Sequence, residues 1–190
     1  MAAPMVIVLM GVSGSGKTTV GLLLAKALGG EFAEGDAFHP PANVEKMRRG
    51  IPLDDPDRRP WLETLARAIA DWLAAGRTVV LACSALKRSY REILRGGRRE
   101  VHFVHLKGDA DLIRARLAGR RGHYLPASLL DSQLAALEEP KSALTIGIEG
   151  RPEEIVAQIL SALEVPEGGC AGSDSGRHPG SPDAPPTGRP

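Results

Sequence analysis

Cysteine is nearly missing from this chain: Cys83 and Cys170 are the only two in 190 residues. Cys83 closes an apolar run and Cys170 lies in a polar stretch, so no disulfide framework is expected and a reducing compartment fits. Charge of one sign is lacking as well. Lys and Arg number 24 against 23 Asp and Glu, a net +1, which leaves no electrostatic footprint for nucleic acid or an anionic membrane. No apolar run approaches the ~20 residues that cross a bilayer. The run Met5–Met10 has no basic segment before it and leads into a glycine-rich loop, not a cleavage site. The expectation is a cytoplasmic, soluble protein with one domain, without nucleic-acid or membrane partners.

What is present starts immediately after that apolar run. Gly11, Val12, Ser13, Gly14, Ser15, Gly16, Lys17 and Thr18, followed by Thr19, fit the phosphate-loop pattern G-x-x-x-x-G-K-[ST]. The pattern has the context it needs, a buried strand before it and helix periodicity after it at Val20, Leu23, Leu24, Ala27 and Leu28. Glycines let the loop's N–H groups converge on phosphate oxygens, and the helix N-terminus adds partial positive charge. Lys17 supplies a mobile cation for the β- and γ-phosphates, and Thr18 a hydroxyl for Mg²⁺. ATP and Mg²⁺ are therefore the expected ligands.

Strand and helix signals then alternate. Strands are expected at Met5–Met10, Glu31–Glu34, Thr78–Ala82, Val101–Leu106 and Leu144–Ile148. Asn43 reads as the cap of a short helix ending near Gly50, and Asp57 as the start of a long one through Ala75. Ser84 and Asp109 read as caps of the next two helices, Pro126 opens another, and Pro152–Leu163 closes the series. Uniformly apolar strands in βα units predict an α/β fold of the P-loop NTPase type. It has a parallel sheet of about five strands with helices on both faces, its ligands at the carboxyl edge. From about Pro166 to Pro190 the chain is mostly Pro, Gly, Ser and Asp, too polar to offset ordering entropy, so residues 166–190 are expected to be a disordered tail beside a 1–165 domain.

Two absences narrow the reaction. No Asn-Lys-x-Asp guanine-reading motif occurs, and the strand Val79–Ala82 ends in Cys83-Ser84 where a Walker B acid would stand. The acid comes early instead, as Asp36, where a small kinase can place it facing the γ-phosphate from the acceptor side. Asp36 could accept or orient the acceptor proton. His39 is either an acceptor contact or structural. His102 and His105, three apart on a strand, face opposite sides of the sheet and make a poor shared metal site.

Longer blocks carry a resemblance. Gly35-Asp36-Ala37-Phe38-His39-Pro40, Asn43, Lys46-Met47 and the run Gly50–Leu62 are similar to gluconokinases. So are Cys83–Lys87 with Tyr90-Arg91, Arg116-Leu117 with Arg120–His123, and Ser132-Gln133 with Leu137-Glu138. The likeness spans about Met5 to Val165. It implies a nucleoside-monophosphate-kinase- and shikimate-kinase-like fold with a lid at about 116–126. The implied reaction is ATP-dependent phosphorylation of D-gluconate to 6-phosphogluconate, and the implied assembly a homodimer.

Gluconate carries a carboxylate and many hydroxyls. Arg58 offers a planar fork for the carboxylate, unless it pairs with Asp54, Asp55 or Asp57. Lys87 and Ser84 could hold hydroxyls, Lys87 alternatively being solvated. A closing arginine, with Arg120 placed before Arg116 and Arg121, would neutralise the transferring group. A shikimate or nucleoside-monophosphate kinase is the alternative within enzymes, and a nucleotide-dependent switch the alternative outside them. A chain ending at Val165 is expected to retain the kinetics of the whole, measured by coupled ADP release; a collapse of activity would give the tail a role.

Overall fold

The computed structural model describes residues 3–119 and 127–163. Its centre is β1 (Val6–Met10), every residue of which is buried. Strands β2 (Glu31–Glu34), β3 (Val79–Ala82), β4 (Val101–Lys107) and β5 (Leu144–Gly147) complete a five-stranded sheet in the order β2-β3-β1-β4-β5. All four pairings are parallel.

A strand alternates its side chains between faces, and β1 feeds two cores in this way. Ile7 and Leu9 join Leu24, Val104, Ile113 and Ile159 on the face covered by α1 (Lys17–Ala27), α5 (Ala110–Ala118) and α7 (Pro152–Ala162). Val6, Val8 and Met10 join Trp61, Leu65, Ile69 and Leu94 on the face covered by α3 (Asp55–Ala74) and α4 (Arg88–Arg95). Between β2 and α3 lie a 3-10 turn, Gly35–Phe38, and α2 (Pro41–Arg48); α6 (Ala127–Ala136) precedes β5. The expected strands appear within a residue of their expected ends. No helix among the described residues is long and apolar enough to cross a membrane.

Three helix starts differ from expectation. Helix α2 begins at Pro41, whose fixed φ suits the first helical position, with Pro40 as its cap. Asn43 therefore lies inside the helix, buried, with its amide used elsewhere. Helix α3 begins two residues before Asp57, because Asp54 and Asp57 form a reciprocal capping box: Asp57 N donates to Asp54 Oδ1 at 2.8 Å and Asp54 N to Asp57 Oδ2 at 3.2 Å. Ser84 does not cap α4. Residues 83–87 form a loop, and Lys87 is the cap position. That loop turns through Ala85 at φ 44°, a left-handed conformation costly for a residue with a Cβ. Arg91 holds it by donating from Nη1 to Ala85 O and Leu86 O, both at 2.9 Å. Asp109 does cap α5, accepting from Asp111 N at 2.8 Å. Residues 120–126 of the expected lid, with Arg120, Arg121 and Pro126, and the 166–190 tail lie outside the described residues.

Asp54→Ala removes one half of the α3 capping box. It is expected to lower unfolding free energy by roughly 1 kcal/mol, read as a lower urea midpoint with an unchanged slope.

Candidate active site

The loop after β1 leaves the sheet between its two neighbours. Gly11 N donates to Ser84 O at 3.2 Å, so the loop starts against the segment that follows β3. Gly11 adopts φ 141°, and a Cβ there would come within 2.8 Å of Leu106 O. Gly16 caps α1 at φ 94° without any side-chain cap, so the first amides of the helix are left for an outside acceptor. The buried Ser15 Oγ has no hydrogen-bond partner among the described residues. These features fit a polyphosphate. Lys17 Nζ folds over the loop, donating to Gly11 O and Val12 O at 3.0 Å each.

Thr18 Oγ1 donates to Glu34 Oε2 at 2.9 Å. Burial raises the Glu34 pKa above its ordinary value and the Asp36 charge adds to this, while the Thr18 bond and Lys17 act against it. A carboxylate beside the phosphate-loop hydroxyl is a donor set of the hard oxygen kind that Mg²⁺ takes, so Thr18 and Glu34 fit that ion. Glu34 was not singled out in the sequence: it lies in a short edge strand and meets Thr18 only through folding.

On the other side of Lys17 is a cavity of about 150 Å³, lined by Lys17, Asp36, His39, Arg58, Ser84 and Gln133 among others. With Ser13, which also lines it, six of the site residues expected from the sequence meet around one space. Trp61 holds its wall together. Its buried indole donates from Nε1 to Gly35 O at 2.8 Å, and the His39 ring stacks on it with centroids 4.1 Å apart. Arg58, one helical turn from Asp55, donates from Nε to Leu53 O at 3.2 Å, and none of the three expected aspartate pairings is formed. Asp36 stays well exposed, while the His39 side chain keeps only 4% of its surface, with Nε2 3.9 Å from Asp36 Oδ1. Burial lowers the His39 pKa and Arg58 helps, whereas Asp36 opposes the shift. Burial pushes the Cys83 thiol up to about 12, which leaves it an inert hydrophobe in the core with Trp61 and Leu81.

Lys87 stands outside this lining. Its Nζ is 2.7 and 2.8 Å from the two Asp55 oxygens, and Tyr90 OH donates to the same carboxylate. Gln133, from α6, belongs to a block of the resemblance but had no role assigned to it: its Oε1 accepts from Ser13 N at 2.7 Å and its Nε2 donates to Ser13 Oγ at 3.0 Å. Across the loop, a second cavity of about 350 Å³ is lined by Gly16, Thr19, Arg116, Gly119, Gly150 and Pro152. It adjoins the phosphate loop between the end of α5 and the loop before α7. A larger cavity of about 550 Å³ lies between α4 and residues 138–143, away from the loop.

A family model described as an AAA domain matches residues 6–140. The gluconokinase of Gluconobacter oxydans is 49% identical over 160 residues, spanning 83% of this chain and 90% of that one. The chain belongs to the gluconokinase family. A crystal structure of a gluconokinase from Sinorhizobium meliloti, 43% identical, superposes with a TM-score of 0.78 over 86% of this chain and 94% of that one. An unliganded sugar kinase from Janibacter, 47% identical, superposes at 0.80 over 85% and 95%. Family membership agrees with the blocks that carry the resemblance, since several of them build the wall of the cavity beside the phosphate loop.

The Glu34 environment makes a stability prediction. A carboxyl whose folded pKa exceeds its unfolded value weakens the fold once ionised, an effect that develops as pH rises from the unfolded to the folded pKa. Glu34→Gln keeps an oxygen for Thr18 and removes that effect. Without nucleotide, the variant is expected to show a higher urea midpoint at about pH 8, the difference narrowing towards about pH 4. A lower midpoint at the higher pH would contradict the assignment.

Proposed function

We propose that this protein is an ATP-dependent gluconokinase, phosphorylating the 6-hydroxyl of D-gluconate to 6-phospho-D-gluconate and so feeding the pentose phosphate pathway. The observation that supports it most is the placement of Asp36, His39, Arg58 and Ser84 around one cavity beside Lys17, in a chain of the gluconokinase family.

The chemistry assigned to each residue follows from its place. The loop amides of Gly11–Thr19 and the open N-terminus of α1 cradle the triphosphate. Lys17 leaves its two loop carbonyls to meet the β- and γ-phosphates. Thr18, with Glu34 beside it, would hold Mg²⁺, which when bound would neutralise phosphate charge. Asp36, exposed to the cavity, accepts the proton of the acceptor hydroxyl or orients it for in-line attack. Arg58 faces the substrate carboxylate, with Ser84 and His39 on its hydroxyls. Lys87, held at Asp55 one turn from Arg58, joins the hydroxyl contacts by exchanging that partner. Arg120, with Arg116 at the end of α5, closes over the transferring phosphoryl as part of the 116–126 lid and excludes water. The kinase domain is residues 1–165, the 166–190 tail is dispensable, and the working enzyme is a cytoplasmic homodimer.

A coupled ADP assay across gluconate, shikimate, common hexoses and nucleoside monophosphates tests the reading. Turnover is expected with gluconate alone and only with Mg²⁺; ADP release insensitive to gluconate would reject it. Lys17→Ala is expected to abolish transfer. Asp36→Asn is expected to lower kcat by about 100-fold or more with little change in KM for ATP, and unchanged turnover would remove Asp36 from the role of base.

A further inference from the structure

We propose that Asn43 sets the tautomer of His39, so that His39 meets the acceptor cavity as a neutral N–H donor at Nε2. The inference rests on the acceptor site assigned above and adds a positioning residue to it.

One group beside Asn43 has a fixed role. Asp57 O is a backbone carbonyl and can only accept, and an Asn43 side-chain atom lies 2.8 Å from it. That atom must be the amide nitrogen, Nδ2. The same Nδ2 lies 3.2 Å from His39 Nδ1. An amide nitrogen offers two hydrogens and accepts none. One hydrogen goes to Asp57 O, so the other goes to Nδ1, which must be unprotonated. A neutral imidazole then carries its proton on Nε2. Asn43 and the His39 side chain are both 4% exposed, so water does not compete for either partner. Stacking on Trp61 at 17° between the ring planes fixes the plane of the ring, and within that plane only Nδ1 towards Asn43 gives the second amide hydrogen an acceptor.

The consequence is directional. His39 Nε2 faces Asp36 Oδ1 across 3.9 Å, too far for a direct hydrogen bond. An oxygen at ordinary hydrogen-bond lengths of about 2.8 Å from each would bridge them. A hydroxyl suits that place: it gives its hydrogen to Asp36 and takes one from Nε2–H. A carboxylate does not, because it would face Asp36 with like charge. The pair therefore selects a hydroxyl end of the acceptor, leaving Arg58 for the carboxylate end. The charged groups facing His39 are Asp36 on its own turn and Arg58 on α3, with Lys17 of α1 lining the same cavity. Asp57, behind Asn43, is held by Lys46 at 2.6 Å.

The test uses the whole chain labelled with ¹⁵N. Two-bond ¹⁵N–¹H correlation at the imidazole rings separates protonated from unprotonated ring nitrogens, and His39→Gln assigns the signal. The expected native pattern is a protonated Nε2 and a bare Nδ1; a proton on Nδ1 overturns the proposal whatever the activity. Asn43→Asp puts an acceptor where the donor stands. At a pH where the ring stays neutral it is expected to shift the ring proton from Nε2 to Nδ1 and to raise KM for gluconate about tenfold or more, with KM for ATP unchanged. A moved proton with an unchanged KM for gluconate would overturn the link to the acceptor. Should Asn43→Asp fail to fold, His39→Gln and His39→Leu decide the same point. The Gln variant can present an amide donor near the place of Nε2 and is expected to stay within about fivefold of the native KM for gluconate. The Leu variant is expected to rise about tenfold or more, and equal values for the two would overturn the donor role. If the native protein releases no ADP with gluconate, the functional reading fails separately, and the ring spectrum still decides the tautomer.

Discussion

One hydrogen bond, from the buried Trp61 indole to Gly35 O, fixes the acceptor half of this molecule. It ties α3 to the end of β2 at the point where the chain turns out of the sheet. A buried indole N–H left unpaired would cost about 1–3 kcal/mol, so the turn and the helix are held together by a group that has no other outlet. Asp36 follows that carbonyl by one residue, His39 stacks on the same indole, and Arg58 precedes it by less than a turn. The capping box of Asp54 and Asp57 then fixes where the helix starts, and so the height at which Arg58 enters the cavity. The phosphate loop is built independently, on a strand buried along its whole length. The two halves meet through Gly11 N and Ser84 O.

This division explains why much of the fold was legible in the sequence. Strands β1 and β3 are continuous apolar runs buried along their whole length, which leaves few alternatives to a place at the centre of a parallel sheet. The phosphate loop is local: one strand, one turn and one helix start carry it. What failed were rules applied to single residues. Asn43 has the side chain of a cap, but Pro41 starts the helix earlier and Asn43 is drawn inward by His39 and Asp57. Ser84 has the side chain of a cap as well, yet the loop it opens is held in a left-handed turn at Ala85 by Arg91.

Long-range pairs were hidden for a different reason. Gln133 reaches Ser13 across 120 positions and Glu34 reaches Thr18 across 16, and no periodicity marks either residue. Both touch the phosphate loop from elements that look ordinary by themselves. Lys87 shows the converse. Its place after β3 suggested a sugar contact, while Asp55 at the start of α3, which also accepts from Tyr90 of α4, is a competing partner. Exchange of that pair for substrate hydroxyls would link filling of the cavity to the α3–α4 contact.

The central claim is that an early carboxylate, Asp36, faces the incoming alcohol while the loop holds the triphosphate. A crystal structure of the ternary complex with gluconate, Mg²⁺ and a non-hydrolysable ATP analogue measures this most directly. The account requires the 6-hydroxyl oxygen of gluconate within hydrogen-bond distance of Asp36 and in line with the γ-phosphorus. A complex in which that oxygen contacts a different side chain, with Asp36 turned to solvent, would contradict it.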